Sequence, residues 1–189
     1  MHNILLVVDG QVDFTTGVLG SEETAAIIPN VAKRVHEYED NGNMILYTQD
    51  THFSNYLETS EGKHLPYMHC EVNTPGWEIV PEIRPRYSAP ETYWKKTFGD
   101  LLLPNAIRNY FPNCPYDGKD MRVLIVGWVT NICVVSNALI LKAALPEAEI
   151  VIDAACCAGT SFGEHLAALK VMKSCQISII NAPEEFYND

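Results

Sequence analysis

Val123-Leu124-Ile125-Val126-Gly127-Trp128-Val129-Thr130-Asn131-Ile132-Cys133-Val134-Val135 carries a short apolar run into a glycine-led turn and on into a helix-length segment that ends near Leu145. A run with no polar face suits a strand covered on both sides of a sheet. The same rhythm recurs in both directions. Before it come Ile4 to Val8, a helical stretch from Thr24 to Asp40 and Met44 to Thr48; after it come Glu149 to Ile152, Gly163 to Cys175 and Ile177 to Ile180. Strand-like runs alternating with helix-length segments predict parallel strands joined by crossover helices on both faces of one sheet. Between Asp50 and about Pro90 the rhythm lapses into histidine, proline, glycine and charge, a stretch long enough to expect a functional loop.

Composition narrows the function. With 189 residues and 47% hydrophobic content, one domain spanning 1–189 can fill its own core. Thirteen basic against 24 acidic residues leave a formal charge of -11, which repels nucleic acid and anionic lipid and points to a small-molecule partner. Met1-His2-Asn3 runs directly into Ile4–Val8, which is too short to span a bilayer and reads as a buried strand. Six cysteines without a CxxC pair read as reduced thiols in a cytoplasmic protein, most of them inert in the core. Nothing in the sequence separates a monomer from a homo-oligomer.

In open parallel sheets ligands bind beyond the carboxyl ends of the strands, where Asp9, Asp50 and Gly127 to Cys133 fall. Cys133 is expected in the first turn of a helix from Asn131, where unpaired N–H groups and the helix dipole favour a thiolate and can hold an oxyanion. Taken alone, Cys133 in Ile132-Cys133-Val134-Val135 reads first as a small buried hydrophobe. Asp9, at the end of an apolar strand, can accept a thiol proton, or it can simply brace the following turn. Lys95, in Tyr93-Trp94-Lys95-Lys96-Thr97-Phe98-Gly99, can stabilise the anionic forms of both; in isolation it reads as a surface lysine.

Together Val8-Asp9-Gly10-Gln11-Val12-Asp13-Phe14, Lys95–Gly99 and Gly127–Val134 resemble the isochorismatase-like cysteine hydrolases. The resemblance implies a three-layer α/β/α sandwich around a six-stranded, mainly parallel, doubly wound sheet. It implies a catalytic triad of Asp9, Lys95 and Cys133, with Lys96 as the rival lysine. It also implies a cis peptide between Trp128 and Val129, and an oxyanion hole from the N–H groups of Val129 and Cys133.

Asp50 and His52, two apart on an extended strand end, project to one face, and carboxylate with imidazole suits zinc, manganese or iron(II). The later His69-Cys70 and Thr74-Pro75-Gly76 make the chain similar to the nicotinamidase branch of that family. This implies a divalent metal, zinc first, held by Asp50, His52, His69 and Glu61, with His64 and then Glu58 as alternatives to Glu61. Phe14, Trp128 and Ile132 are the expected walls for a ring amide. In part of the branch a tryptophan precedes the second metal histidine, whereas here Leu65-Pro66-Tyr67-Met68 does, which leaves the choice of amide open. The expected reaction is hydrolysis of nicotinamide. A second reading is hydrolysis of another small amide, carbamate or ureide, with the metal cluster as a brace; a third is a noncatalytic small-molecule-binding protein on the same fold.

Overall fold

The computed structural model describes residues 1–188. Six strands, β1 (His2–Val8), β2 (Met44–Asp50), β3 (Glu91–Lys95), β4 (Met121–Trp128), β5 (Glu149–Ala158) and β6 (Ser178–Ile180), form one sheet in the order β3-β2-β1-β4-β5-β6. Every pairing is parallel. Strand parity divides the core in two. Ile4, Leu6 and Val8 of β1, with Val123 and Ile125 of β4, face one side; Leu5, Val7, Leu124 and Val126 face the other. On the first side pack the helices α5 (Leu103–Tyr110), α6 (Val135–Ala144) and α7 (Phe162–Ser174), through Ile107, Leu141 and Leu169. On the second side α3 (Ile28–Asp40) packs through Val31 and Val35, one turn apart on its inner stripe. Burying each such valine contributes roughly 1.5–3 kcal/mol.

Local chemistry sets the boundaries. After the short α1 (Val12–Thr15), the expected helix Thr24 to Asp40 is two helices, α2 (Glu22–Ala26) and α3, meeting at Ile27. Ser21 and Thr24 close a reciprocal cap at the start of α2, and Pro29 sits in the first turn of α3, where its missing N–H costs nothing. The segment after Asp50 is less irregular than expected. It contains short helical turns, including α4 (Ser60–His64), and it is stitched back onto the sheet by isolated bridges between His52 and Glu71 and between Gln11 and Ile79. Before α6 the chain makes a π-helical turn, Thr130–Val134, so Cys133 precedes the α-helix expected to carry it. Among the described residues no helix is long and apolar enough to cross a membrane.

The strand order reverses direction between β1 and β4, and this switch point opens a crevice at their carboxyl ends. Gly127 pairs with Val8 there, at φ 123°, and a Cβ on it would overlap the Val8 carbonyl oxygen. Gly127→Ala is therefore expected to destabilise the fold by about 2–4 kcal/mol, since both backbone strain and a rigid overlap act together. Urea unfolding reads this directly, and an unchanged midpoint would contradict it.

Candidate active site

Three strand ends and one turn deliver the chemistry. Asp9 follows β1, Lys95 closes β3, Asp50 closes β2 in register with Lys95, and Cys133 lies in the π-helical turn after β4. Lys95 Nζ is 2.7 Å from Asp9 Oδ2, 3.6 Å from Cys133 Sγ and 3.6 Å from Asp50 Oδ1. Asp9 is fully buried, and Lys95 and Cys133 are each 5% exposed. Asp9 has φ 49°, a left-handed backbone that aspartate tolerates better than most residues. Its Oδ1 accepts from Thr48 Oγ1 at 2.7 Å. Its Oδ2 lies 2.7 Å from the Lys95 ammonium, so charge holds that pair. Lys96 is exposed, with Nζ 4.8 Å from the centre of the Phe53 ring, and takes no part in the cluster.

Burial, with the nearby Asp50 charge, raises the proton affinity of Asp9, while the Lys95 ammonium opposes it. Burial disfavours the charge on Lys95, but Asp9, the Cys133 sulfur and Asp50 outweigh it and lift its pKa well above the usual lysine value. Burial and the facing Asp9 carboxylate push the Cys133 thiol well above its ordinary range. Dehydration and a facing carboxylate thus oppose the charge that a helix terminus, worth about 1 kcal/mol, favours.

Beside this group Asp50, His52, Glu61 and His69 place one ligand atom each within 4.8 Å of all the others. His52 Nε2 lies 3.1 Å from Asp50 Oδ2 and 3.8 Å from Glu61 Oε1; His69 Nε2 lies 3.5 Å and 4.0 Å from the same two atoms. Bonds of roughly 2.0–2.2 Å in a tetrahedron separate ligands by about 3.3–3.6 Å, so the four atoms fit one divalent ion. The Tyr67 carbonyl can only accept, so His69 Nδ1 donates to it at 2.8 Å and leaves Nε2 bare for a metal. The His52 N–H donates to the Cys70 carbonyl at 3.0 Å, which brings His69 alongside. Glu61 reaches the cluster from the first turn of α4, whose Thr59 cap accepts the Gly62 N–H at 3.0 Å. His64 turns back to the Ser60 carbonyl, and neither it nor Glu58 belongs to the cluster.

Residues 3–184 match the family model described as the isochorismatase domain. The chain belongs to that family. Among solved structures, the zinc complex of a pyrazinamidase from Pyrococcus horikoshii is 27% identical, with a TM-score of 0.78 over 96% of this chain and 100% of that one. A nicotinamidase/pyrazinamidase from Bacillus subtilis is 20% identical (TM-score 0.77, 95% and 99% covered), and an N-carbamoylsarcosine amidase from Thermoplasma acidophilum is 18% identical (TM-score 0.75, 97% and 99% covered). At those last two identities the likeness is one of fold. No match to a curated protein sequence is found. The protein thus has the fold of an isochorismatase-family hydrolase, with a cluster suited to a divalent metal.

In this family member a cavity of about 940 Å³ opens over the cluster, lined by His52 and Glu61 on one wall and by Ile132 on another. Phe14 is buried with its ring 5.6 Å from that of His69, behind the cluster. Trp128 does not line the cavity. It is wholly buried in the core on the α3 side, and its Nε1 donates to the Thr24 carbonyl at 2.8 Å, because the end of β4 turns the indole inward. The Trp128–Val129 peptide is cis.

Supporting residues escaped the sequence reading. Gln11 accepts the Asp50 N–H at 2.7 Å and donates to the Asp50 carbonyl at 2.8 Å, so its amide pins the strand end that carries Asp50. Thr48 orients Asp9, and Asp13 Oδ2 accepts the Cys70 N–H at 2.7 Å next to His69. Gln11 and Asp13 both stand in the Val8–Phe14 motif, which was the available signal. His165 is buried with Nδ1 2.8 Å from the Thr130 hydroxyl in the turn that carries Cys133.

Proposed function

We propose that this chain is a cysteine amidohydrolase converting nicotinamide to nicotinate and ammonia. One observation carries the reading: Lys95 touches Asp9, Cys133 and Asp50 at once, so a buried nucleophile group and a metal-ligand group share one crevice. Asp9 takes the Cys133 proton, and the thiolate adds to the carboxamide carbon. The N–H groups of Val129 and Cys133 receive the developing oxyanion. The proton on Asp9 passes to the leaving nitrogen as the C–N bond breaks, and ammonia departs from a thioester. Water then gives a proton to Asp9 and adds to the thioester carbon; the sulfur leaves, recovers the proton, and nicotinate is released. Throughout, Lys95 keeps a positive charge beside whichever partner is anionic.

Asp50, His52, Glu61 and His69 would hold the divalent ion, zinc by our reading with manganese or iron(II) as alternatives, which supplies a Lewis acid to fix the ring through its nitrogen. Phe14 backs this cluster and Ile132 lines the ring's side of the cavity. We take the whole of 1–189 as one hydrolase domain, acting on a small amide with neither nucleic acid nor membrane as partner. Six free cysteines suit a reducing compartment, and we place the protein in the cytoplasm.

The test is ammonia release from nicotinamide by metal-loaded protein. Removing the ion with a chelator should lower turnover by about 10–100-fold or more while circular dichroism stays unchanged, and added zinc should restore it. Chelator-insensitive hydrolysis of a carbamate or ureide, with nicotinamide refused, would favour the second reading. No hydrolysis of any amide would leave a binding protein.

A further inference from the structure

The cavity is much larger than the ring amide of the proposed reaction. Nine heavy atoms of a pyridine carboxamide, even at the roughly 30 Å³ a water occupies in the liquid, fill less than about a third of its 940 Å³. The inner end is lined by His52 and Glu61 of the ligand cluster and by Ile132, the neighbour of Cys133. The outer end is built from Phe53, Phe98, Leu65 and Lys96. Phe53 and Phe98 are 41% and 49% exposed and give the cavity an aromatic mouth. Lys96 is held over the Phe53 ring at 4.8 Å, and among the described residues no carboxylate pairs with it. In a chain of charge -11 this unpaired cation at an apolar mouth is a local exception.

We propose that the substrate carries an arm: a ring amide whose apolar or aryl extension lies between Phe53 and Phe98 and ends in a carboxylate facing Lys96. The proposal rests on the amidohydrolase reading, and the bond broken is the same. Water supplies hydroxyl to the carbonyl carbon and hydrogen to the departing ammonia, while the arm is unchanged. Two adjacent lysines then divide the work, Lys95 inward on the reacting atoms and Lys96 outward on the arm.

Metal-loaded full-length protein is assayed for ammonia release from pyridine-3-carboxamides bearing no arm, a phenyl arm, or a carboxyphenyl arm at each open ring carbon. The best carboxyphenyl amide should surpass nicotinamide in kcat/KM. It should surpass its phenyl counterpart by roughly threefold to fivefold, the scale of a solvent-exposed ion pair, and Lys96→Met should remove that preference. If nicotinamide is turned over and every armed amide is about tenfold worse or more, the arm is refuted and the hydrolase reading stands. If armed amides are turned over and nicotinamide is not, the arm is supported and nicotinamide is the wrong substrate. If no amide reacts, both fall. A carboxylate preference that survives Lys96→Met overturns the role of Lys96. A stable dimer in sedimentation, with armed amides refused, gives the mouth to a second copy of the chain and overturns the proposal.

Discussion

Cys133→Ala should abolish ammonia release, with kcat falling by about 10⁴-fold or more, the usual scale for removing a covalent nucleophile. The side chain lost is small, and its sulfur is the atom that Lys95 Nζ approaches at 3.6 Å and that the Asp9 carboxylate raises in proton affinity. Removing it leaves the Asp9–Lys95 pair at 2.7 Å intact, so the charges inside the crevice stay balanced. The melting temperature should therefore shift by only a few degrees, a loss of about 1 kcal/mol for a small buried group. Nicotinate should still bind the variant, because the metal ligands are untouched. Turnover equal to the parent's, with thermal stability also equal, would remove Cys133 from the reaction.

Lys95→Met should damage both folding and catalysis. Methionine nearly matches the volume, so the effect isolates the charge. The substitution leaves Asp9 and Asp50 buried without the ammonium that now lies 2.7 Å and 3.6 Å from them, and breaking such a buried pair costs about 3–5 kcal/mol. The pH dependence has a definite sign. Burial already raises the Asp9 pKa and Lys95 opposes the rise, so in the variant it climbs further. A carboxyl raised in this way contributes stability fully present below its unfolded pKa, near about 3.9, and lost as pH rises through the folded value. The lysine of the parent is raised above about 10.4, so its contribution persists across the neutral range. The deficit of the variant should accordingly be small near pH 4 and grow towards pH 8, as read by urea unfolding at several pH values. At neutral pH a more protonated Asp9 is a poorer base, and kcat/KM should fall by about 10²–10⁴-fold. A variant as stable as the parent at pH 8, with its activity retained, would show that the cluster works without this charge.

Much of the architecture was legible locally. Runs such as Ile4–Val8 and Val123–Val126 are apolar at every position because both sheet faces are covered, and they were recognisable as strands. β3 was not. Glu91-Thr92-Tyr93-Trp94-Lys95 is an edge strand whose outer side chains meet solvent, so it lacks an apolar run and reads as polar loop. α5 was missed for a related reason, since Pro104, Asn105 and Arg108 interrupt a short apolar stripe that only packing reveals. The β3 omission left Lys95 and Lys96 separable only by family resemblance, because no strand parity could be assigned. Glu61, His64 and Glu58 lie within one short segment, and the phase of α4 decided among them. Trp128 was placed in the pocket on residue type, and the direction of its side chain at the end of β4 put it in the core instead.

The chain's own order of residues determined the parallel α/β class, the carboxyl-end position of Asp9, Asp50 and Cys133, and the chemical types available there, because periodicity and strand-end placement are properties of neighbouring residues. Tertiary structure alone decided that Lys95 rather than Lys96 meets Asp9, that Glu61 joins Asp50, His52 and His69, and that burial raises the proton affinity of the Cys133 sulfur. Those outcomes depend on strand register, on helix phase and on dehydration by residues far away along the chain, and each is a through-space quantity that no local stretch contains.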